Sequence, residues 1–215
     1  MLDTSFRRIR GDIGNPASFS YPVIHATVPH ASVNRVVEEP DEELITLFID
    51  SGRELERQGA TAITTSCGFL AKFQLEIQSG LDVPFRSSSL LQIPAAQARH
   101  GNVGVITAKE SSLGLDHFLG ARCTGKPAAV AGMDSSPAFT SSIIEQTAAL
   151  DEAAIRSEVI AVARELVRDN PELDAIVLEC TNLPPYAQDV RNVTRLPVYD
   201  ALTMCNELMA APGAI

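Results

Sequence analysis

Two stretches of the chain share one form, and that repetition restricts the possible folds more than any other feature. Residues 60–70 run from small and β-branched residues through Thr64, Thr65 and Ser66 into Cys67, with Gly68, Phe69 and Leu70 following at once. Residues 174–184 run from Ala175, Ile176, Val177 and Leu178 through Glu179 into Cys180, followed by Thr181, Asn182, Leu183 and Pro184. Each reads as a buried strand that stops at a cysteine and turns into a helix. In both, a proline lies 17 residues beyond the cysteine, at Pro84 and Pro197. At the same shift Leu70 overlays Leu183, and Phe73 overlays Tyr186. The sequence therefore uses one strand–cysteine–helix–strand unit twice.

The rest of the chain fits around these two units. Residues 1–4 read as the last part of a strand whose beginning is missing. Residues 10–16 form a Gly/Pro/Asn-rich loop without the spacing of a phosphate-binding motif. Residues 21–28 read as a strand. The acidic run of Glu38, Glu39, Pro40, Asp41, Glu42 and Glu43 reads as the solvated start of a helix. Its apolar stripe is Leu44, Leu47, Phe48 and Leu55, and it stops near Gly59. A helix over 69–79, a strand near Phe85 and a helix from Gln92 to about Gly101 follow. Residues 102–107 form a buried strand that opens the second half. Helix is expected over 110–119, strand over 128–133, turns over 132–142 and a long helix over 151–169. After the Cys180 unit come a helix from Pro184, a strand at Pro197 and Val198, and a terminal helix. Strands that alternate with helices and are continuously apolar imply parallel sheets covered on both faces. The fold expected is α/β, with two pseudo-symmetric lobes, each a parallel sheet flanked by helices. The division is 1–100, carrying Cys67, and 101–215, carrying Cys180.

Charge and composition exclude several classes of function. A net charge of −10 argues against a general nucleic-acid or anionic-membrane surface. No run of 18 apolar residues occurs, so no membrane span is expected. The first residues lack the apolar core of a secretory signal, which points to the cytoplasm and reduced thiols. None of the four cysteines forms a C-x-x-C, and no histidine stands near one at ligand spacing, so no metal site is expected. Cys123 and Cys205 read as buried free thiols. His25 reads as a core histidine and His30 as a loop residue.

Ligands of open α/β sheets bind beyond the carboxyl ends of the strands, where Cys67 and Cys180 both lie. Related by a pseudo-twofold axis, the two thiols face each other across one cleft. Inverting a carbon next to a carbonyl needs a base on one face and an acid on the other, and two such cysteines supply them. Backbone N–H groups and a helix dipole at each turn are expected to favour the thiolate. Further donors would stabilise the enediolate-like intermediate. Ser66, Gly68 and Phe69 line one side, Thr181 and Asn182 the other, and Thr107 the floor. No flavin, nicotinamide, pyridoxal or metal motif is present, so the chemistry expected needs no cofactor.

The paired cysteine turns, the duplication and the pattern Cys180-Thr181-x-Leu183-Pro184 resemble the aspartate/glutamate racemase superfamily. That group includes glutamate, aspartate and hydantoin racemases, maleate isomerase and arylmalonate decarboxylase. The resemblance spans nearly the whole chain and implies two α/β lobes, a cleft between them and a homodimer or higher homo-oligomer. It implies a cofactor-independent racemase or epimerase acting on an amino acid, hydantoin or related carboxylate. It also implies that an acidic or amide residue after the first strand meets the substrate amine; Asp3 fits that position first, Asp12 second. The first motif departs from the pattern: Gly68-Phe69 stand where the amino-acid racemases have Asn-Thr. This points away from glutamate and aspartate and toward a less polar or bulkier ligand. Alternatives are a cis–trans isomerase using thiolate addition, a non-catalytic small-carboxylate binder, and a redox thiol protein.

Overall fold

A computed structural model describes residues 1–38 and 42–210. Helix α1 (Glu43–Arg57) buries Leu44, Phe48 and Gly52. The acidic run assigned to its start lies partly outside the described residues; Glu43 is in its first turn. Strand β1 (Ile63–Thr64) leads to Cys67 and to a 3-10 segment over Gly68–Phe73, continued by α2 (Gln74–Ser79). The helix expected over 69–79 is therefore two pieces. Strand β2 (Phe85–Arg86) pairs in parallel with β1, and α3 (Ile93–His100) ends at Gly101, whose φ of 110° suits glycine.

Strand β3 (Val103–Thr107) is followed by a 3-10 turn at Glu110–Ser112 and by α4 (Leu115–Gly120). Leu113 and Gly114 break what the sequence suggested as one helix. Strand β4 (Ala129–Gly132) precedes α5 (Pro137–Phe139) and a π turn at Thr140–Ile144, where only turns were expected. Helix α6 (Glu152–Asp169) starts at Asp151, whose carboxylate accepts the N–H groups of Ala153 and Ala154 at 3.0 Å. Strand β5 (Ala175–Leu178), helix α7 (Ala187–Thr194), strand β6 (Val198–Tyr199) and helix α8 (Ala201–Ala210) follow.

The second sheet has the order β4-β3-β5-β6, all parallel. The first, among the described residues, is β1-β2. Neither residues 1–4 nor residues 21–28 form a strand. They are extended segments joined by isolated bonds: Val28 N–H to Met1 C=O at 2.9 Å and Asp3 N–H to Ala31 C=O at 3.0 Å. Met1 also donates to the Ala26 carbonyl, and Leu2 N–H to Ser66 Oγ at 2.9 Å, which sets the first residues between residues 26–28 and the turn after β1.

Strands β3 and β5 are buried along their whole length. Val103, Val105 and Val177 join a core with Phe69, Leu70, Leu90 and Ile93 from the first half of the chain. Ile106, Ile176 and Leu178 turn the other way, onto Ile155, Val159 and Ala163 of α6. Alternation along the strands thus ties both halves to one central sheet. Among the described residues, no helix is long and apolar enough to cross a membrane.

Helix α4 meets the 3-10 segment after Cys67 with almost no gap. A Cβ added to Gly120 would lie 2.1 Å from the Ala71 carbonyl oxygen. Backbone cannot yield cheaply there, so Gly120→Ala should destabilise the protein by about 1–3 kcal/mol. Urea unfolding checks this; an unchanged midpoint would show that α4 is not seated on that segment.

Candidate active site

Cys67 lies two residues beyond Thr65, at the N-cap of the 3-10 segment Gly68–Phe73. Cys180 lies two residues beyond the end of β5. Both strands are followed by turns that keep the chain inside the protein, so both cysteines are buried, at 8% and 7% exposure. They line one cavity of about 500 Å³ of empty space, including its mouth. Ser66, Gly68, Phe69, Thr181 and Asn182 line it too.

Three of the residues singled out from the sequence do not. Asp3 is exposed, while Leu2 and Thr4 line the cavity. In an extended segment neighbouring side chains point to opposite sides, so the cavity takes Leu2 and Thr4 and Asp3 faces away. Thr107 sits behind the cavity wall, fully buried, and donates its hydroxyl to Glu179 Oε2 at 2.7 Å. Ala108 is in the wall instead. Asp12 is buried behind Asn182, accepting its Nδ2 at 2.6 Å.

Sequence reasoning missed two charged groups in the wall. Arg8 donates to both oxygens of Asp12 at 3.2 and 3.3 Å and to Thr4 Oγ1 at 2.7 Å, and its guanidinium lies 4.2 Å from the centre of the Phe6 ring. No sequence pattern marked it, because it sits in a loop without periodicity. Glu179 could have been found: a glutamate closing an otherwise apolar strand, directly before a cysteine, is out of place unless it has a task. Its side chain is fully buried, and Oε1 has no hydrogen-bond partner among the described residues. That oxygen packs against the backbone of Gly68, where an added Cβ would come within 2.2 Å of it.

The two cysteine turns are joined directly. Thr181 Oγ1 donates to the Ser66 carbonyl at 2.7 Å, so the residue after one cysteine holds the residue before the other. Glu179 against Gly68 is the same relation with the roles exchanged. Cys180 Sγ lies 3.5 Å from Asn182 Oδ1.

The thiols do not favour ionisation as the turns alone suggested. Burial pushes Cys67 up to about 12, and the charge of Glu179 adds to it; the Phe69 N–H and Arg8 act the other way and lose. Burial, then Glu179, raises Cys180 well above the usual thiol range, against the Asn182 N–H. The turn N–H groups act in the direction foreseen, but desolvation is larger. Burial likewise lifts Glu179 to about 7, although Thr107 and the Ala108 N–H oppose it. Cys123 and Cys205 are buried free thiols.

A family model described as Asp/Glu/Hydantoin racemase matches residues 25–208. Among curated proteins, the chain is 33% identical to dimethylsulfoniopropionate lyase 7 of Emiliania huxleyi (strain CCMP1516), over 98% of this chain and 65% of that protein. It is 31% identical to the dimethylsulfoniopropionate lyase of Durusdinium sp. clade D, over 94% of this chain and 69% of that one. The chain thus spans about two thirds of the length of these relatives. Among solved structures, a glycine-to-cysteine mutant of arylmalonate decarboxylase in a sulfate-associated form superposes with a TM-score of 0.65, covering 100% of this chain and 92% of that one at 17% identity. Picrophilus torridus aspartate racemase gives 0.58 at 17% identity, covering 86% of this chain and 76% of that one. These two share the fold.

The raised Glu179 carboxyl should be visible in stability. Unfolded, it ionises near the ordinary 4.5; folded, near 7. The native state holds this proton more tightly, so its stabilising effect is complete below about 4.5 and is lost as pH rises through about 7. Glu179→Gln should flatten that fall, read as urea midpoints across this range. Parallel curves for variant and wild type would contradict the assignment.

Proposed function

The chain belongs to the Asp/Glu/hydantoin racemase family of enzymes, and on that premise we propose that its two cysteines act at the α-carbon of a small carboxylate held by Arg8. The observation that carries this reading is that Cys67, Cys180 and Arg8 line one small and otherwise largely apolar cavity. We take residues 1–100 and 101–215 as the lobes that contribute one cysteine each.

Within the family, the outcome we favour is β-elimination. One thiolate removes the α-proton. The C–H pair becomes the C=C bond as the bond from the β-carbon to a sulfonium sulfur breaks, and that bonding pair leaves with the sulfur. The products are an alkenoate and a neutral thioether, and the cysteine ends protonated. The second thiol lies on the other side and donates to the charge that grows on the substrate carboxylate. Two observations support elimination over inversion. The relatives named as dimethylsulfoniopropionate lyases match nearly the whole chain at 31–33% identity. Asp3, the group suggested for an amine, faces away from the cavity.

Inversion of an amino acid or hydantoin is the second reading. It is favoured by the reciprocal placing of the two cysteine turns, which suits a base on one face and an acid on the other.

Because both thiols are raised by burial, the reaction needs a bound ligand whose charge helps form the thiolate. Incubation with dimethylsulfoniopropionate should release dimethyl sulfide and acrylate. Cys67→Ala and Cys180→Ala should each lower kcat by about 10²-fold or more. Full activity in either variant would end the two-cysteine reading. Loss of optical rotation with deuterium uptake at the α-carbon of an enantiopure amino acid or hydantoin, without elimination, would select inversion instead. Binding without turnover of either kind would mark a small-carboxylate binder.

A further inference from the structure

A carboxylate with one oxygen left unpartnered inside an apolar wall is costly unless a ligand completes it. Glu179 is such a group. Its Oε2 is held by Thr107 at 2.7 Å, while Oε1 has no partner among the described residues. Arg8, the cation of the same cavity, is engaged by Asp12 and Thr4 rather than by Glu179. The cavity wall thus carries a cation already paired at one place and, at another, a carboxylate oxygen without a hydrogen-bond partner, buried against Gly68, with both thiols in the same wall.

We propose that the buried charge of Glu179 selects a substrate with a cationic group, so that the site is built for a compact zwitterion with its carboxylate on Arg8 and its onium group against the Gly68 wall that Glu179 backs. This rests on the elimination reading above and names the residue that selects its substrate class. Three features fit. The unpartnered oxygen is fixed: Thr107 anchors the other oxygen of the same carboxylate, and the side-chain-free backbone of Gly68, itself part of the cavity wall, stands against it. A sulfonium or quaternary ammonium group has no N–H or O–H to donate, so it needs charge and apolar contact, and Phe69 and Val37 in the same wall supply the latter. Glu179 is also the charge that opposes ionisation of both cysteines. An onium group beside it offsets that charge and makes the thiolate easier to form when substrate, and not water, fills the cavity.

The test is equilibrium binding of two ligands of one shape. 3-(Trimethylammonio)propanoate carries the cation, and 4,4-dimethylpentanoate replaces its nitrogen by carbon. The wild-type protein should bind the ammonio compound about tenfold or more tightly than the carbon compound. Glu179→Gln, which keeps an oxygen acceptor and adds a donor, should remove that preference while leaving affinity for 4,4-dimethylpentanoate within about twofold. Retained binding of the carbon compound shows that the variant's cavity is intact. Should it be lost, Thr107→Val, which leaves the Glu179 charge in place but unanchored, is measured in the same way and should reduce the preference. A preference that survives in Glu179→Gln, or its absence from the wild type, overturns the proposal. Dimethyl sulfide release is assayed separately. A Glu179-dependent preference without release would defeat the elimination reading alone, and release with a preference indifferent to Glu179 would defeat this inference alone.

Discussion

The hydrogen bond from the Thr181 hydroxyl to the Ser66 carbonyl, with its counterpart in the packing of Glu179 on Gly68, is the constraint on which the site depends. Each contact joins the residue before one cysteine to the residue after the other. Two turns far apart in sequence are thereby held back to back, and their cysteines open on the same space. Around them, β3 and β5 carry one face of side chains into each of the two main cores. A shift of either turn would therefore have to move packed strands, where interiors have little slack.

The same burial that fixes the geometry sets the electrostatics. Backbone N–H groups at both turns favour thiolates, but removal from water outweighs them, and a neighbouring carboxylate works against them as well. On the function proposed above, the ligand supplies the charge that offsets this burial. That is consistent with a narrow, largely apolar cavity in which few polar groups set the orientation of a small molecule.

Much of this was legible in the sequence, for physical reasons that differ from residue to residue. The Cys180 unit was clear because Ala175, Ile176, Val177 and Leu178 form an unbroken apolar run, and such runs become central parallel strands. Helix α6 was clear because Ile155, Val159, Val162, Ala163 and Leu166 recur at helical spacing. The cysteine pair was found by its duplication, not by either cysteine alone. Asp3 was misplaced by a single step, since in an extended segment one residue decides between cavity and solvent. Thr107 has the right strand end but points to Glu179, a tertiary contact that no local pattern encodes. Arg8 reaches the cavity only because Thr4 and Asp12 hold it there. Residues 21–28 have strand composition, yet Ala26 and Val28 bond only to Met1 among the described residues of the first segment, and no ladder forms. The pull of burial on the thiols could not be read from a turn motif, because it depends on everything packed around it.

The central claim is that both cysteines address one carboxylate from two sides. A crystal structure of the protein with 4,4-dimethylpentanoate bound measures this directly. The carboxylate is expected on Arg8 and the α-carbon between the two sulfur atoms, at about 3–4 Å from at least one of them. A ligand bound elsewhere, or seated with its α-carbon out of reach of both sulfurs, would contradict it.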